Sequence, residues 1–458
     1  MSLRREIRAT LTLAAPVVLA QLAQVSLGFV DTVMVGRLGP EALAGVALGA
    51  SMFFTLGLFG LGVVLAVGPM AAQAVGAGKP DEAAHAARQG LWATALLGPA
   101  MMVLLVGVSF ALGLTGQDPA VADLAGRYLR AIVWGLPAFY GFVAVRSFAE
   151  ALGRPLVVTL VAVLGIGSNV FWNDALIHGR YGLPALGPVG VGYASAITTW
   201  TMFGLLTLVF VLVPSFRKIG LLRRDRPDRA VLGALLRLGL PIGGSLFVEA
   251  GLFGATALLV GRLGSTALAA HQVALQMASI TFMGALGIAI AGSVRVGHAA
   301  GAGDREGVRR AGWTSIGLST GVMTVSALAF TLAPRPLIGL FLDVNAPANA
   351  AVVALATTLL TLAGVFQVFD GLQAGAGGAL RGLKDTRAPM LIAVATYWGL
   401  GLTTGVWLAF GQGQGAAGLW KGLIVGLAAA GIALALRFWQ RTKRLPKGQS
   451  VGIEDLRS

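Results

Sequence analysis

Twelve apolar runs, each close to the length of a membrane-spanning helix, fix the class of structure open to this chain. They fall at roughly 11–34, 43–68, 90–115, 127–149, 156–178 and 188–214, then at 233–260, 268–291, 311–333, 349–375, 388–410 and 415–438. A hydrocarbon core takes about 20 residues of helix to cross. The 458 residues therefore hold about a dozen crossings and leave no room for a large soluble domain. Backbone groups in lipid must be satisfied within their own segment, which predicts an all-α polytopic membrane protein. Composition agrees, since the mean hydropathy is +0.81 and only 12% of residues are charged, where soluble domains carry about a quarter.

The formal charge of +15 is read as loops facing the cytoplasm, not as a nucleic-acid surface, and no nucleic-acid partner is expected. With both termini inside, the inner segments hold 27 of the 34 Lys and Arg residues. Arg4, Arg5 and Arg8 precede an apolar run that continues to Met34 without a cleavage site, so the segment is expected to stay as the first span. Cysteine is absent, which excludes disulfides and thiolate metal sites.

One register joins the two sets of spans. Gly36-Arg37-Leu38-Gly39 recurs at 261–264, an offset of 225 at which Pro16 meets Pro241 and Gly76-Ala77-Gly78 meets Gly301-Ala302-Gly303. Gly187 and Gly190 meet Gly415 and Gly418 at an offset of 228. The expected domains are an N-terminal six-helix lobe at 1–214, a basic linker at 215–230, a C-terminal lobe at 231–440 and a cytoplasmic tail at 441–458. Each copy has an even number of spans and enters from the same side. A pseudo-two-fold axis along the membrane normal and a central cavity, the usual design of transporters, are expected. Pro16, Pro241 and glycines such as Gly57, Gly60, Gly62 and Gly68 serve either as bends or as sites of close helix packing.

A charge at the bilayer centre costs at least about 2.5–3.5 kcal/mol, which makes an acid there a functional candidate. Asp31, Glu249 and Asp370 each lie within an apolar span, and Asp174 sits near the outer end of span five beside Arg180. Helical spacing gives the first three polar company: Gln24 with Asp31, Ser245 with Glu249, and Gln367 and Gln373 around Asp370. Asn169 with Asn173, and Gln272 with Gln276, form similar stripes. Hydrogen bonding between helices accounts for Asn and Gln but poorly for three carboxylates. A carboxylate here can hold Na⁺ or carry a proton, so Asp31, Glu249 and Asp370 are the candidate coupling sites, with Glu249 and Asp370 the candidate Na⁺ ligands. The other residues of these stripes are candidate lining for a substrate cavity suited to a cationic, aromatic compound. At the offset of 225, Asp31 faces Thr256 and Glu249 faces Gln24, so the scaffold repeats and the acids do not.

No HExxH, paired-Asp diphosphate motif or Walker loop is present, so neither catalysis nor ATP-driven pumping is expected, and no cofactor beyond the coupling ion. A flippase for a lipid-linked or polysaccharide precursor is the competing reading. It is disfavoured because such cavities carry Arg and Lys, whereas the buried charges expected here are acidic.

The stretches Asp31–Gly39 (DTVMVGRLG), Ala269–Leu275 (AAHQVAL), Arg295–Asp304 (RVGHAAGAGD), Leu380–Pro389 (LRGLKDTRAP) and Gly415–Gly426 resemble the multidrug and toxic compound extrusion family, closest to its NorM-type bacterial branch. The resemblance implies a V-shaped cavity between two six-helix lobes and export of organic cations in exchange for Na⁺ or H⁺. A monomer in the bacterial inner membrane is expected. It also implies ion-coupling and substrate roles for Asp31, Glu249 and Asp370, with Asn169 and Asn173 beside the first. Asp174 departs from the pattern, since relatives usually carry an aromatic there.

Overall fold

A computed structural model describes residues 2–116 and 118–445. Among the described residues, twelve helices are long and apolar enough to span a membrane: α1 (Leu3–Gly36), α2 (Pro40–Gly76), α3 (Pro80–Ala111), α4 (Pro119–Ala151), α5 (Leu156–His178), α6 (Pro188–Leu212), α7 (Arg229–Gly261), α8 (Ser265–Gly301), α9 (Arg305–Leu332), α10 (Pro347–Gly382), α11 (Arg387–Gly411) and α12 (Gly415–Arg444). The apolar runs locate all twelve. Most helices outlast their run, because hydropathy marks only the hydrocarbon-depth part and the ladder continues into polar sequence. The tail expected from 441 is helical to Arg444, and residues 446–458 lie outside the described part. α11 is unusual, with π-helical turns at Val394–Leu402 and Trp407–Gly411.

The duplication is written into the backbone. Gly39 and Gly264 cap α2 and α8 with nearly equal angles, φ 115°, ψ 168° and φ 108°, ψ 168°. Gly187 and Gly415, at the offset of 228, have φ 58° and 57°. A side chain is strained in the left-handed region, which is why glycine stands at these corners in both copies.

The chain divides into two compact units, one comprising the sequence up to Val18 with that from Ser245 onward, the other Leu19–Gly244. The division falls inside α1 and α7, just past Pro16 and Pro241, and not in the linker at 215–230. Within the first unit, the buried Glu6 carboxylate accepts a two-pronged bond from Arg295, Nε to Oε1 at 2.9 Å and Nη2 to Oε2 at 2.9 Å. There Val18 packs so closely on Gly287 that a Cβ on the glycine would lie 2.4 Å from Val18 Cγ2. Within the second unit, a Cβ on Gly62 would lie 2.2 Å from the Gly243 nitrogen and 2.5 Å from the Gly239 carbonyl oxygen. Gly62 and Gly287, like Val18 and Gly243, are 225 apart, so one helix crossing is made twice.

The linker is docked on the start of α3. Asp225 Oδ2 accepts from Arg88 Nε at 2.9 Å and pairs with His85 Nδ1 at 2.6 Å, while His85 Nε2 lies 3.3 Å from Asp228 Oδ2. Gln89 donates to the Arg226 carbonyl and accepts from the Asp228 N–H, both at 2.9 Å, and Trp92 Nε1 donates to the Asp225 carbonyl at 3.0 Å. The Arg88 bond first, then the His85 bond, holds the Asp225 carboxyl below the usual aspartate range. A lowered carboxyl stabilises the docked linker fully above about pH 4, and the contribution is lost as pH falls through the lowered value. Asp225→Asn is therefore expected to speed tryptic cleavage after Arg223 and Arg224 at pH 7 by about two- to five-fold, the worth of a partly exposed charge pair.

Candidate functional site

The second unit gathers polar groups around Asp31. Asn169 and Asn173, one turn apart on α5, both donate through Nδ2 to Asp31 Oδ1, at 3.0 and 2.7 Å. Ser195 Oγ on α6 donates to Oδ2 at 2.7 Å, and Asn173 also donates to Asn169 Oδ1 at 3.2 Å. Both asparagines are fully buried, and the Asn173 Oδ1 has no hydrogen-bond partner. Three donors thus converge on a group that can only accept when ionised. The buried Asn173 oxygen remains free for an incoming donor or cation.

Ser195 escapes notice in the sequence because a lone Ser among small residues of α6 is commonplace. Gln24, assigned to the same face as Asp31 by its spacing, is not part of this cluster. It accepts at 2.6 Å from Arg146 Nη1, and Gln21 accepts from Nη2. Arg146 is buried and also bonds Glu150, Nε to Oε1 at 2.8 Å. The expectation that buried charges are acidic alone is thereby corrected. Arg146 is neutralised within its own helix turn, so it leaves no free cation for a phosphate. Asp174 is held apart in an exposed ion pair, with both carboxylate oxygens 2.9 Å from Arg180 Nη1.

The first unit assembles a different centre. Glu249 on α7 and Asp370 on α10 are close enough to feel each other's charge; Tyr397 on α11 feels both, and Arg381 at the end of α10 feels Glu249. Neither carboxylate has a hydrogen bond or ion pair among the described residues. The Gln367 Oε1 and the Gln373 Oε1, three residues either side of Asp370 on α10, and the Tyr397 hydroxyl are buried without partners. Gln367 is oriented by donating to Thr281 Oγ1. The π-helical turn of α11 seats Tyr397 in the interior, and its neighbour Trp398 donates to the Val248 carbonyl at 3.0 Å, next to Glu249.

Tyr397 and Arg381 were not legible as site residues. An aromatic in an apolar span reads as core, and Arg381 reads as an inner-loop charge. Ser245 lies one turn before Glu249 on α7. Gln272 and Gln276 sit on an exposed face of α8 and have no bond to either acid. Among the described residues no group of three or more His, Asp or Glu could hold a metal ion.

The MatE family model matches residues 16–173 and again 241–407, once per copy of the repeat. A protein named a probable multidrug resistance protein NorM, from Mesorhizobium japonicum, is 44% identical over 96% of this chain and 95% of its own length. One of the same name from Pseudomonas aeruginosa is 43% identical over 96% of the chain and 91% of its own length. The crystal structure of a eukaryotic MATE transporter, AtDTX14, superposes with a TM-score of 0.85 at 22% identity, covering 97% of this chain and 98% of that one. The doubled match to the family model and the near-complete alignment with these relatives establish that the chain belongs to the MatE family.

Proposed function

We propose that the protein is a secondary active multidrug exporter, moving cationic amphipathic organic compounds out of the cell in exchange for Na⁺ or H⁺ by alternating access. The observation that carries this reading is the neighbouring pair Glu249 and Asp370, without a hydrogen bond or ion pair among the described residues, with unpartnered buried oxygens at Gln367 and Gln373 on the same helix as Asp370. Two neighbouring acids within membrane spans and without a partner are costly to keep ionised unless a cation joins them, and a proton removes the charge. The centre is therefore built to be loaded and unloaded. Asp31, saturated by three donors, is a second centre of different character, which fits a division of labour between ion and substrate. The relatives named multidrug resistance proteins support the substrate class. The excess of Lys and Arg on one set of loops orients both termini to the cytoplasm of a bacterial inner membrane.

Purified protein in proteoliposomes is expected to move a fluorescent organic cation against its gradient when driven by a Na⁺ gradient alone or a pH gradient alone, and the effective arm names the ion. If neither gradient drives uptake, or a lipid-linked phosphate precursor crosses the bilayer instead, the exporter reading fails.

A further inference from the structure

The basic charge of this chain is not used up by either carboxylate centre, and part of it is organised. Two cavities lie on either side of the first turns of α9, both lined by Arg309 and Trp313. One, of 540 Å³, adds Leu3 and Ile7 from α1 with Arg310 and Leu318. The other, of 640 Å³, adds Arg305 with Trp439 and Lys443 from the end of α12. Glu306 lines both, yet the lining stays net positive.

These walls are fixed by contacts that leave the cationic heads available. Arg305 donates to the Thr442 and Lys443 carbonyls at 3.0 and 2.8 Å, tying α9 to the otherwise unsatisfied last turn of α12. Trp313 stands edge-on to the buried Phe438, with ring centroids 6.1 Å apart, and Phe438 closes directly over Gly312. Lys443 Nζ lies 3.5 Å over the exposed Trp439 ring. Arg309 and Arg310 have no ion pair among the described residues. Trp313 is eight residues into α9, about 12 Å along the axis. The basic heads of Arg305, Arg309 and Arg310 therefore sit in the first turns of α9, with the Trp313 ring and Leu318 further along the helix, the order in which a bilayer presents phosphate, glycerol and acyl chain.

We propose that this surface is a binding site for an anionic phospholipid, its phosphate held at Arg309, which lines both cavities, between Arg310 on one side and Lys443 on the other, with one acyl chain lying along Ile7 and Leu318. Charge complementarity selects this occupant. The cytoplasmic leaflet is anionic and draws basic groups at its surface, and the leaflet assignment rests on the orientation proposed above.

The test reads binding alone, so it is independent of transport and of orientation in the cell. Native mass spectrometry of the full chain in detergent is doped with phosphatidylglycerol or with phosphatidylcholine of the same chains. The wild type is expected to retain phosphatidylglycerol selectively. Arg309→Ala with Lys443→Ala is expected to bind it about 25-fold more weakly, about five-fold per basic head removed. Arg309→Lys with Lys443→Arg is expected to keep the affinity, as is Arg223→Ala with Arg224→Ala in the linker. Equal retention of phosphatidylcholine would overturn the proposal, and so would an equal loss in the linker variant, which reports bulk charge. Competition by glycerol phosphate as effective as by the intact lipid would also overturn it, showing a soluble-anion site without a chain groove.

Discussion

Glu249→Gln and Asp370→Asn are each expected to abolish gradient-driven efflux of a fluorescent cation from proteoliposomes while expression and monodispersity stay normal. Both substitutions keep the side chain's size and remove the charge. The two acids share one electrostatic environment with Tyr397. Neutralising one lowers the repulsion felt by the other but leaves a single carboxylate to hold the coupling cation. Coupling needs a ligand that binds one conformation better than another, and a shift can be no larger than that differential affinity. Loss of one of the two neighbouring carboxylates removes most of it. The amide introduces a donor, and the remaining carboxylate and the unpartnered Gln367 and Gln373 oxygens are acceptors, so folding is expected to survive. Full gradient-driven transport in both variants would show that the ion is read elsewhere. Asp31 would then be the remaining carboxylate centre.

The second large effect concerns packing. Gly62→Val is expected to destabilise the protein by at least about 3 kcal/mol, the upper range for overpacking, seen as a fall of several degrees in apparent melting temperature and loss of monodisperse protein. The new side chain would meet the backbone of Gly239 and Gly243, and backbone cannot rotate away as a side chain can. Gly57→Ala is the matched control, since its Cβ would lie 3.7 Å from the Tyr140 hydroxyl, an ordinary contact. Alanine gains up to about 1 kcal/mol over glycine inside a helix. The two substitutions are five residues apart on α2. Similar melting temperatures for both would refute the backbone crossing at Gly62.

That contrast marks what the sequence could and could not disclose. The spans were legible because lipid leaves the chain one solution per segment, and the duplication because glycine corners cannot drift. Gly57, Gly60, Gly62 and Gly68 look alike in the sequence, and only the partner helix separates them. Asp31 with Asn169 and Asn173 was legible from helical spacing and an intramembrane charge. The same spacing misled at Gln24, because two residues on one face need not share a partner: Arg146 reaches Gln24 before Asp31 can. By its charge Arg146 reads as an inner-loop residue, whereas Glu150 one turn later lets it be buried. The centre around Glu249 was legible in its acids and not in Tyr397, whose inward position depends on a local π-helical winding that no residue pattern announces.

The bond between Glu6 and Arg295 joins residues 289 apart. As the chain emerges from the ribosome, the first turns of α1 have no native surface to pack on until α8 has been made, because both belong to the same compact unit. Nearly two thirds of the protein is synthesised with its N-terminal segment waiting. The N-terminal half made alone lacks the surface on which the first turns of its first helix settle, and the late half lacks the Glu6 carboxylate that Arg295 bonds. Biogenesis of this protein is thus a single event in which the last half completes the first.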